Sequence, residues 1–278
     1  MIRIDKMTAG RFGNRVLHYN NLMQLATTLN TGASCVFWEG HECFSDLVGQ
    51  TDWENPVDTV LDWKTVLGSD DISDNAQLGP YCLHNVFLKL TKTDPRQFIK
   101  VNEKYKVNLP EDKVNVGIHI RGTDILGADG NQGREIHSPE YYKNAIDAVE
   151  SEFENTKYYI CTDDTDFISF KETVKHLTKN EIEYEVGSPN HFLDFATLSE
   201  CDVIIASSST FTVAAGFTGK KDKKIIHSME WIQRNLDHTL WHPYDDPKET
   251  RKWQLSYDNF WTDLYEGGNE FYHAWKFI

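Results

Sequence analysis

The chain of 278 residues is long enough for one large or two ordinary domains, and its 26% charged and 40% hydrophobic residues are typical of a globular protein. Its net charge of -15 argues against nucleic acid or an anionic membrane as the main partner, because both need basic patches. The 5 cysteines form no C-x-x-C pair, which favours a reducing, cytoplasmic setting. No stretch is apolar enough to predict stable membrane insertion. The sequence leaves the oligomeric state open.

The first part of the chain has the pattern of a strand, a glycine turn and a helix. Ile2 and Ile4 alternate with polar residues, as in a strand, and residues 16–29 carry apolar side chains at helical spacing. The turn between them, T-A-G-R-F-G-N, has two glycines three apart, which let a backbone approach a ligand closely. A second strand is predicted at 34–38, and a helix is expected around 81–90.

Strands and helices alternate from about residue 114 to residue 228. This alternation predicts right-handed β-α-β crossovers and a doubly wound parallel sheet. Predicted strands lie at 114–120, 157–162, 182–186, 202–206 and 224–227, and predicted helices at 138–153, 167–177, 191–200 and 211–217.

The polar segment 109–113 directly precedes the strongest strand and is the best candidate for a domain boundary. We therefore expect an N-terminal domain over residues 1–110, a C-terminal domain over 111–240 and a tail over 241–278. The tail is rich in Trp and Tyr at an approximate helical period. We expect it to form a helix that packs back on the N-terminal domain.

Chemistry is expected where the parallel strands end, because the carboxyl ends of such strands share one edge and ligands bind there. Arg121 ends the strand 114–120 and can bind phosphate oxygens with two parallel hydrogen bonds. A predicted helix start at 208–210 favours an anion, and the Asp194 carboxylate matches the N–H edge of guanine. Together these features predict a nucleoside-diphosphate pocket. The polar residues predicted at this edge are His119, Arg121, Asp124, Asp163, Asp164, Asp194, Ser207, Ser208, Ser209 and Thr210.

Each of these residues also has a purely structural interpretation. Asp124 would only hold Arg121 in place, Asp163 would cap a helix, and Asp194 would interact with a helix dipole. His119 would be a hydrogen-bonded interior histidine. No Asp-x-Asp motif follows a strand, which favours a site without metal and gives Arg121 the electrostatic role of a divalent cation.

Three blocks of the sequence resemble GDP-fucose-dependent fucosyltransferases of the α1,2, α1,6 and protein-O group, and the motifs are closest to the α1,6 enzymes. G-R-F-G-N-R opens the first block at residues 10–26. H-I-R-G-T-D opens the second at 119–127 and is followed by H-S-P-E-Y-Y at 137–142. The third combines 159–170 with 192–211. Each block alone is modest, and their order and spacing together carry the resemblance.

The resemblance implies a GT-B glycosyltransferase fold, in which two Rossmann-like domains face a central cleft. It implies inverting, metal-independent transfer of L-fucose from GDP-β-L-fucose to a glycan hydroxyl, with no cofactor. By position it implies that Arg121 binds the β-phosphate and that Ser209 and Thr210 hold phosphate. It also implies that the nucleoside is contacted by His119, Asp163 and Asp194. The sugar would be faced by Arg11, Gly13 and Asn14.

The sequence departs from the α1,6 pattern at two places. Gly122 replaces the second arginine of H-x-R-R, so one cation is missing. The catalytic base is Asp129 when counted forward from His119 and Glu135 when counted back from His137, or there is none. Two other functions stay open: a GT-B transferase that uses another nucleotide sugar such as GDP-mannose, and a glycan- or nucleotide-binding protein without turnover.

Overall fold

The protein contains two compact units, residues 1–106 with 217–219, and residues 107–216 with the chain after 219. Each unit has its own parallel sheet, which confirms the predicted α/β class. A computed structural model describes residues 1–8, 10–50, 56–62, 65–66, 72–79, 93–122, 137–207, 209–227 and 275–277.

The first unit is built on a four-stranded parallel sheet with the strand order β2-β1-β5-β4. A short antiparallel pair, β3 with β6, forms separately. The strands are β1 (Ile2–Ile4), β2 (Ala33–Cys35), β3 (Phe44–Ser45), β4 (Thr59–Leu61), β5 (Ala76–Leu78) and β6 (Lys100–Val101), and the helices are α1 (Phe12–Thr28) and α2 (Gly40–Cys43).

Helix α1 begins four residues before its predicted start because the glycine turn ends early. Gly10 has φ +54°, a conformation that favours glycine, and a Cβ there would lie 2.1 Å from Asn14 Nδ2. The helix buries polar side chains as well as apolar ones. Gln24, for example, donates to the Thr93 carbonyl over 2.6 Å and accepts from the Thr93 N–H over 3.1 Å. A hydrophobic period alone therefore does not define the buried surface of α1.

The second unit is built on a six-stranded sheet with the order β12-β11-β10-β7-β8-β9, and all its strand pairs are parallel. The strands are β7 (Val114–Ile120), β8 (Thr156–Thr162), β9 (Tyr184–Val186), β10 (Val203–Ile205), β11 (Lys224–His227) and β12 (Trp275–Phe277). The helices are α3 (Pro139–Glu152), α4 (Ile168–Lys179), α5 (His191–Glu200) and α6 (Thr210–Gly216).

The central strand β7 is buried on both faces, as expected for a parallel sheet. Ile118 and Ile120 belong to a core cluster that also contains Tyr141 and Tyr142 of α3. On the other face, a Cβ at Gly117 would lie 2.5 Å from Leu198 Cδ2. Gly117 therefore allows α5 to lie close against β7, which positions the side chains of that helix over the sheet.

The tail differs from the prediction where it is described. Residues Trp275–Phe277 form the strand β12 beside β11 and are not helical. Aromatic residues have a high strand propensity, and β11 offers an edge for backbone pairing. The rest of the expected tail helix after 227, and the helix expected around 81–90, lie outside the described residues. In the described part of the chain, no helix has the length and apolar character needed to cross a bilayer.

Candidate functional site

The turn after β7 carries the arginine that the sequence singled out. Gly122 N–H donates to Asp163 Oδ1 over 2.8 Å, and Asp163 directly follows the neighbouring strand β8. This bond connects the two strand ends and fixes the backbone next to Arg121, whose side chain is half-buried. Asp163, which the sequence predicted to contact the nucleotide, thus has a backbone partner through one oxygen.

The missing second arginine of the motif has a steric explanation. A Cβ at Gly122 would lie 2.8 Å from Asp164 Cβ and 3.2 Å from both Cβ and Cγ of Phe167. Real Cβ atoms do not approach a neighbour to 2.8 Å, so any larger side chain would displace the turn after β8. The chain therefore has close backbone packing where related motifs carry a cation.

His119 is held from two sides within the second unit. Its Nδ1 lies 2.5 Å from Ser207 Oγ, and its ring stacks on Phe211 with centroids 5.1 Å apart and planes at 23°. Burial lowers the pKa of His119 to about 4, a change that Asp163 opposes and Arg121 reinforces. The imidazole is therefore neutral near pH 7. Both the ligand and the interior-histidine interpretations of His119 remain compatible with this geometry.

The sequence placed Ser207 at this edge together with residues 208–210 but gave it no role, and it did not single out Phe211. The available signal was topology, because Ser207 follows β10 and β10 pairs directly with β7. Ser207 is 3% exposed. Two ends of adjacent parallel strands therefore place Ser207 and His119 side by side, as the shared edge of the sheet predicts.

Ser209 mainly stabilises the start of α6. Its Oγ accepts from Phe211 N–H over 3.2 Å, and its carbonyl accepts from Thr212 Oγ1 over 2.7 Å. Ser209 is buried, whereas Thr210 is half-buried. The prediction that Ser209 and Thr210 hold phosphate stays untested, although the side-chain oxygen of Ser209 already serves as a helix cap.

Asp194 lies in the first turn of α5, directly over strand β8. Its Oδ1 accepts from Ser188 N–H over 3.2 Å, and its backbone carbonyl accepts a weak hydrogen bond from Cys161 Sγ at 3.8 Å. A Cβ at Gly187 would come within 2.4 Å of Asp194 Oδ1. Burial raises the pKa of Asp194 to about 7, and the hydrogen bond from Ser188 N–H only partly offsets this rise.

A cavity of about 500 Å³ opens beside this carboxylate. Its volume is within the range of small-molecule sites, and it combines apolar walls with a few polar groups. A buried carboxylate with a perturbed pKa in such a cavity is a feature of functional sites. The cavity is lined by Asp194, Ser188, Gly187, Tyr159, Leu193 and Pro110, among others.

Arg11, Gly13 and Asn14 lie at the start of α1 in the first unit. Arg11 is the N-cap residue of α1, with φ -92° and ψ -179°, and its side chain makes no capping hydrogen bond. Gly13 is buried, whereas Arg11 is exposed and Asn14 is half-buried. The predicted contact of these residues with the donor sugar stays a prediction.

Four predicted site residues, Asp124, Asp129, Glu135 and Ser208, lie outside the described residues, so the identity of the base is untested. Among the residues that the structure describes, no three His, Cys, Asp or Glu side chains are grouped as metal ligands.

Comparison with known proteins identifies a family. The model of the family described as Glycosyl transferase family 11 matches residues 96–240. Among solved structures, the chain is similar to POFUT1 in complex with GDP-fucose and to POFUT1 in complex with GDP, with 12% sequence identity in each case. The two matches cover 78% of this chain and 92% and 94% of those chains, and the TM-scores are 0.48 and 0.47. No curated protein matches.

Proposed function

The chain belongs to glycosyl transferase family 11, and from this premise we propose that it transfers L-fucose from GDP-β-L-fucose to a hydroxyl group of a glycan. The choice of donor is supported by the groups that lie at one edge of the second sheet. That edge offers the Arg121 guanidinium after β7 and a buried Asp194 carboxylate beside a cavity over β8. A cation and a carboxylate are the groups that a diphosphate and a guanine base require.

Arg121 would assist departure of the leaving group. In an inverting transfer, the acceptor oxygen forms a bond to the anomeric carbon while the bond from that carbon to the β-phosphate oxygen breaks. Negative charge then develops on GDP, and a fixed guanidinium stabilises it more in the transition state than in the ground state. Because Gly122 leaves no room for a second arginine, we assign this electrostatic role to Arg121 without a metal ion.

Asp194 would recognise the base. Guanine presents N–H groups on its Watson–Crick edge, and an ionised carboxylate accepts hydrogen bonds from them. Asp194 Oδ1 already accepts from Ser188 N–H, which holds the carboxylate in one orientation toward the cavity. His119 would contact the donor from the neighbouring strand, and Arg11, Gly13 and Asn14 would contact the sugar.

The acceptor proton needs a base on the side of the sugar opposite GDP. We propose Asp129 for this role, with Glu135 as the other candidate. Asp129→Asn and Glu135→Gln distinguish them, because the true base loses acceptor-dependent turnover, whereas the other variant retains it.

The deciding experiment measures GDP release from GDP-fucose by the purified chain, with a glycan array as acceptor and mass change as the readout. Arg121→Ala is expected to lower kcat about 10²- to 10³-fold while the protein stays folded. Arg96→Ala is the matched control, because Arg96 pairs with its neighbour Asp94 on a short 3-10 turn. Treatment with EDTA is expected to leave the rate unchanged.

Each contrary result has a defined meaning. Normal turnover by Arg121→Ala contradicts the role of that arginine. Turnover of GDP-mannose instead of GDP-fucose moves the assignment to another nucleotide sugar. Binding of GDP with neither hydrolysis nor transfer in any acceptor favours a binding protein. Loss of activity in EDTA that Mg²⁺ or Mn²⁺ restores contradicts the metal-independent mechanism.

A further inference from the structure

We propose that Ser207 is a positioning residue for His119: its hydroxyl donates to Nδ1, which places the imidazole proton on Nε2 and presents an N–H donor to an oxygen of the bound nucleotide sugar. The assignment of a nucleotide sugar to this edge of the sheet rests on the function proposed above. The choice of tautomer rests on the geometry of the second unit alone.

The contact between the two side chains is short and partly buried. Ser207 Oγ lies 2.5 Å from His119 Nδ1, and Ser207 is 3% exposed. Among the residues that the structure describes, Ser207 Oγ is the hydrogen-bond partner of the imidazole, and Nε2 has none. The carbonyl of Ser207 is used separately, since it accepts from Thr212 Oγ1 over 3.2 Å.

Hydrogen-bond satisfaction selects one tautomer. When Ser207 donates to Nδ1, its hydroxyl hydrogen has an acceptor and the imidazole proton must be on Nε2. When Nδ1 carries the proton instead, Ser207 accepts, and its own buried hydrogen then has no acceptor among the described residues. Leaving a buried donor without a partner is unfavourable. The first arrangement satisfies both groups and leaves Nε2–H for a ligand.

The ring is also fixed in orientation. Phe211 stacks against it, and Phe195 contacts Phe211 edge-on with centroids 5.4 Å apart. The backbone of His119 is held as well, because Tyr142 Oη donates to the His119 carbonyl over 3.2 Å. A rotated imidazole would exchange Nδ1 for a carbon and lose Ser207. The direction of Nε2–H is therefore set before a ligand arrives, which lowers the entropy lost on binding.

The charges around His119 give Arg121 and His119 different roles toward the ligand. Burial holds the pKa of His119 near 4; the Asp163 carboxylate acts to raise it and the Arg121 guanidinium to lower it further. Arg121 thus supplies the positive charge, and His119 supplies a neutral donor. A neutral N–H suits an oxygen of either the diphosphate or the ribose, and these two sources require separate tests.

The first test reads the tautomer directly in the ligand-free protein. Nitrogen NMR of the chain with 15N-labelled histidine distinguishes protonated from unprotonated ring nitrogens, and His119→Gln assigns the signal by its loss. We expect a proton on Nε2 and none on Nδ1 at pH 7. A signal with the proton on Nδ1, or an equal mixture, overturns the proposal. Ser207→Ala is expected to convert the single tautomer into a mixture.

The second test asks whether Nε2–H meets the donor. Addition of GDP is expected to shift the Nε2 signal. Pyrophosphate alone reproduces the shift when the partner is the diphosphate, and guanosine alone reproduces it when the partner is the ribose. GDP that binds without moving Nε2 contradicts the ligand contact. A chain that neither binds GDP nor releases it from GDP-fucose contradicts the proposed function instead, whereas the tautomer measurement still decides the role of Ser207.

The kinetic test uses a matched pair of buried serines. Ser207→Ala is expected to raise KM for GDP-fucose about tenfold with kcat within about threefold, because a ground-state donor contact is weakened. Ser207→Thr retains a hydroxyl and is expected to recover part of the loss. Ser199→Ala removes another fully buried hydroxyl, which donates to the Ala196 carbonyl in α5, and should leave KM unchanged. An equal rise in KM for both alanine variants would show a merely structural effect.

Discussion

The backbone of Gly122 lies so close to Asp164 and Phe167 that a methyl group would overlap both residues. The same residue donates its N–H to Asp163, so it connects the ends of β7 and β8 through both packing and a hydrogen bond. Arg121 precedes it directly. The course of the backbone at Arg121 therefore depends on a residue without a side chain.

We predict that Gly122→Ala lowers the free energy of unfolding by about 1–3 kcal/mol, because the new Cβ would overpack the turn. Gly122→Arg, which restores the related motif, is expected to destabilise the chain at least as much and to lower transfer. Denaturant unfolding measures both effects. Gly49→Ala is the control, because a Cβ at Gly49 meets nothing within 4 Å. Higher activity of Gly122→Arg would contradict the steric argument.

The proposed role of Asp194 in recognising the base predicts that donor binding depends on pH. The pKa of Asp194 is raised to about 7 by burial, so the carboxylate is largely protonated below that pH and ionised above it. A protonated carboxyl accepts guanine N–H groups poorly. We therefore predict that KM for GDP-fucose falls as the pH rises from about 6 to 8, by up to about tenfold per pH unit below the pKa. GDP-fucose has no phosphate that titrates in this range.

Asp194→Asn tests this explanation because the amide cannot ionise. We expect a higher KM that no longer changes between pH 6 and 8, as measured by initial rates at saturating acceptor. Asp166→Asn is the control, since Asp166 is exposed and pairs with Lys171. A pH profile that persists in Asp194→Asn would assign the dependence to another group.

Helix α3 holds several strand ends through two adjacent tyrosines. Tyr141 Oη lies 2.8 Å from the Ala206 carbonyl and 3.1 Å from the Ile226 carbonyl, so it donates to either one. Tyr142 Oη donates to the His119 carbonyl. The helix thereby supports the ends of β7, β10 and β11. The site is therefore a property of the α3–sheet packing as well as of the residues at the edge.

We predict that Tyr141→Phe lowers the free energy of unfolding by about 1 kcal/mol, because two buried carbonyls lose their shared donor. KM for the donor should rise as well, since Ala206 directly precedes Ser207. Tyr184→Phe is the matched control, because its hydroxyl shares an exposed hydrogen bond with Thr178; its effect should stay within about 0.5 kcal/mol. Unchanged stability and KM in Tyr141→Phe would contradict the role of α3.

The elements that the sequence predicted best are those with a strong local signal. Helix α5 matches its predicted bounds 191–200, and β7 matches 114–120, because each combines a clear apolar pattern with polar residues at its ends. Strand β2 is shorter than predicted. Helix α1 is longer than predicted, since burial of the polar residues of α1 depends on partners distant in sequence. Prediction of the contact between Ser207 and His119 requires the strand order β10-β7-β8, which no local sequence pattern contains.

At the scale of the whole molecule, both units bury neutral histidines. His18 lies in α1 of the first unit, and His119 and His137 lie in the second. Desolvation is the largest cause in each case, and it lowers each pKa from 6.5 to about 4. Burial has the opposite effect on the acid Asp194, whose pKa rises to about 7. Acidification thus has two opposite effects on the stability of the chain, one through the three histidines and one through Asp194.

The sign of the net effect follows from linkage. A histidine with a lowered pKa stabilises the fold fully above pH 6.5, and this contribution is lost as the pH falls toward 4. The contribution of Asp194 is complete below pH 3.8 and is lost as the pH rises through 7. Between about pH 4.5 and 6, unfolding therefore binds about three protons at the histidines and releases about one from Asp194.

From these four groups we predict that the free energy of unfolding falls by about 3 kcal/mol for each pH unit of acidification in this window, which corresponds to net uptake of about two protons. Denaturant unfolding at several pH values measures the slope, and calorimetry in buffers of different ionisation enthalpy measures the protons directly. His137→Phe keeps an aromatic ring beside Tyr141, whose ring is tilted against that of His137 with centroids 4.4 Å apart. This variant should reduce the uptake by about one proton, whereas Asp194→Asn should increase it by about one. A slope that neither variant changes would show that acid sensitivity arises from other groups.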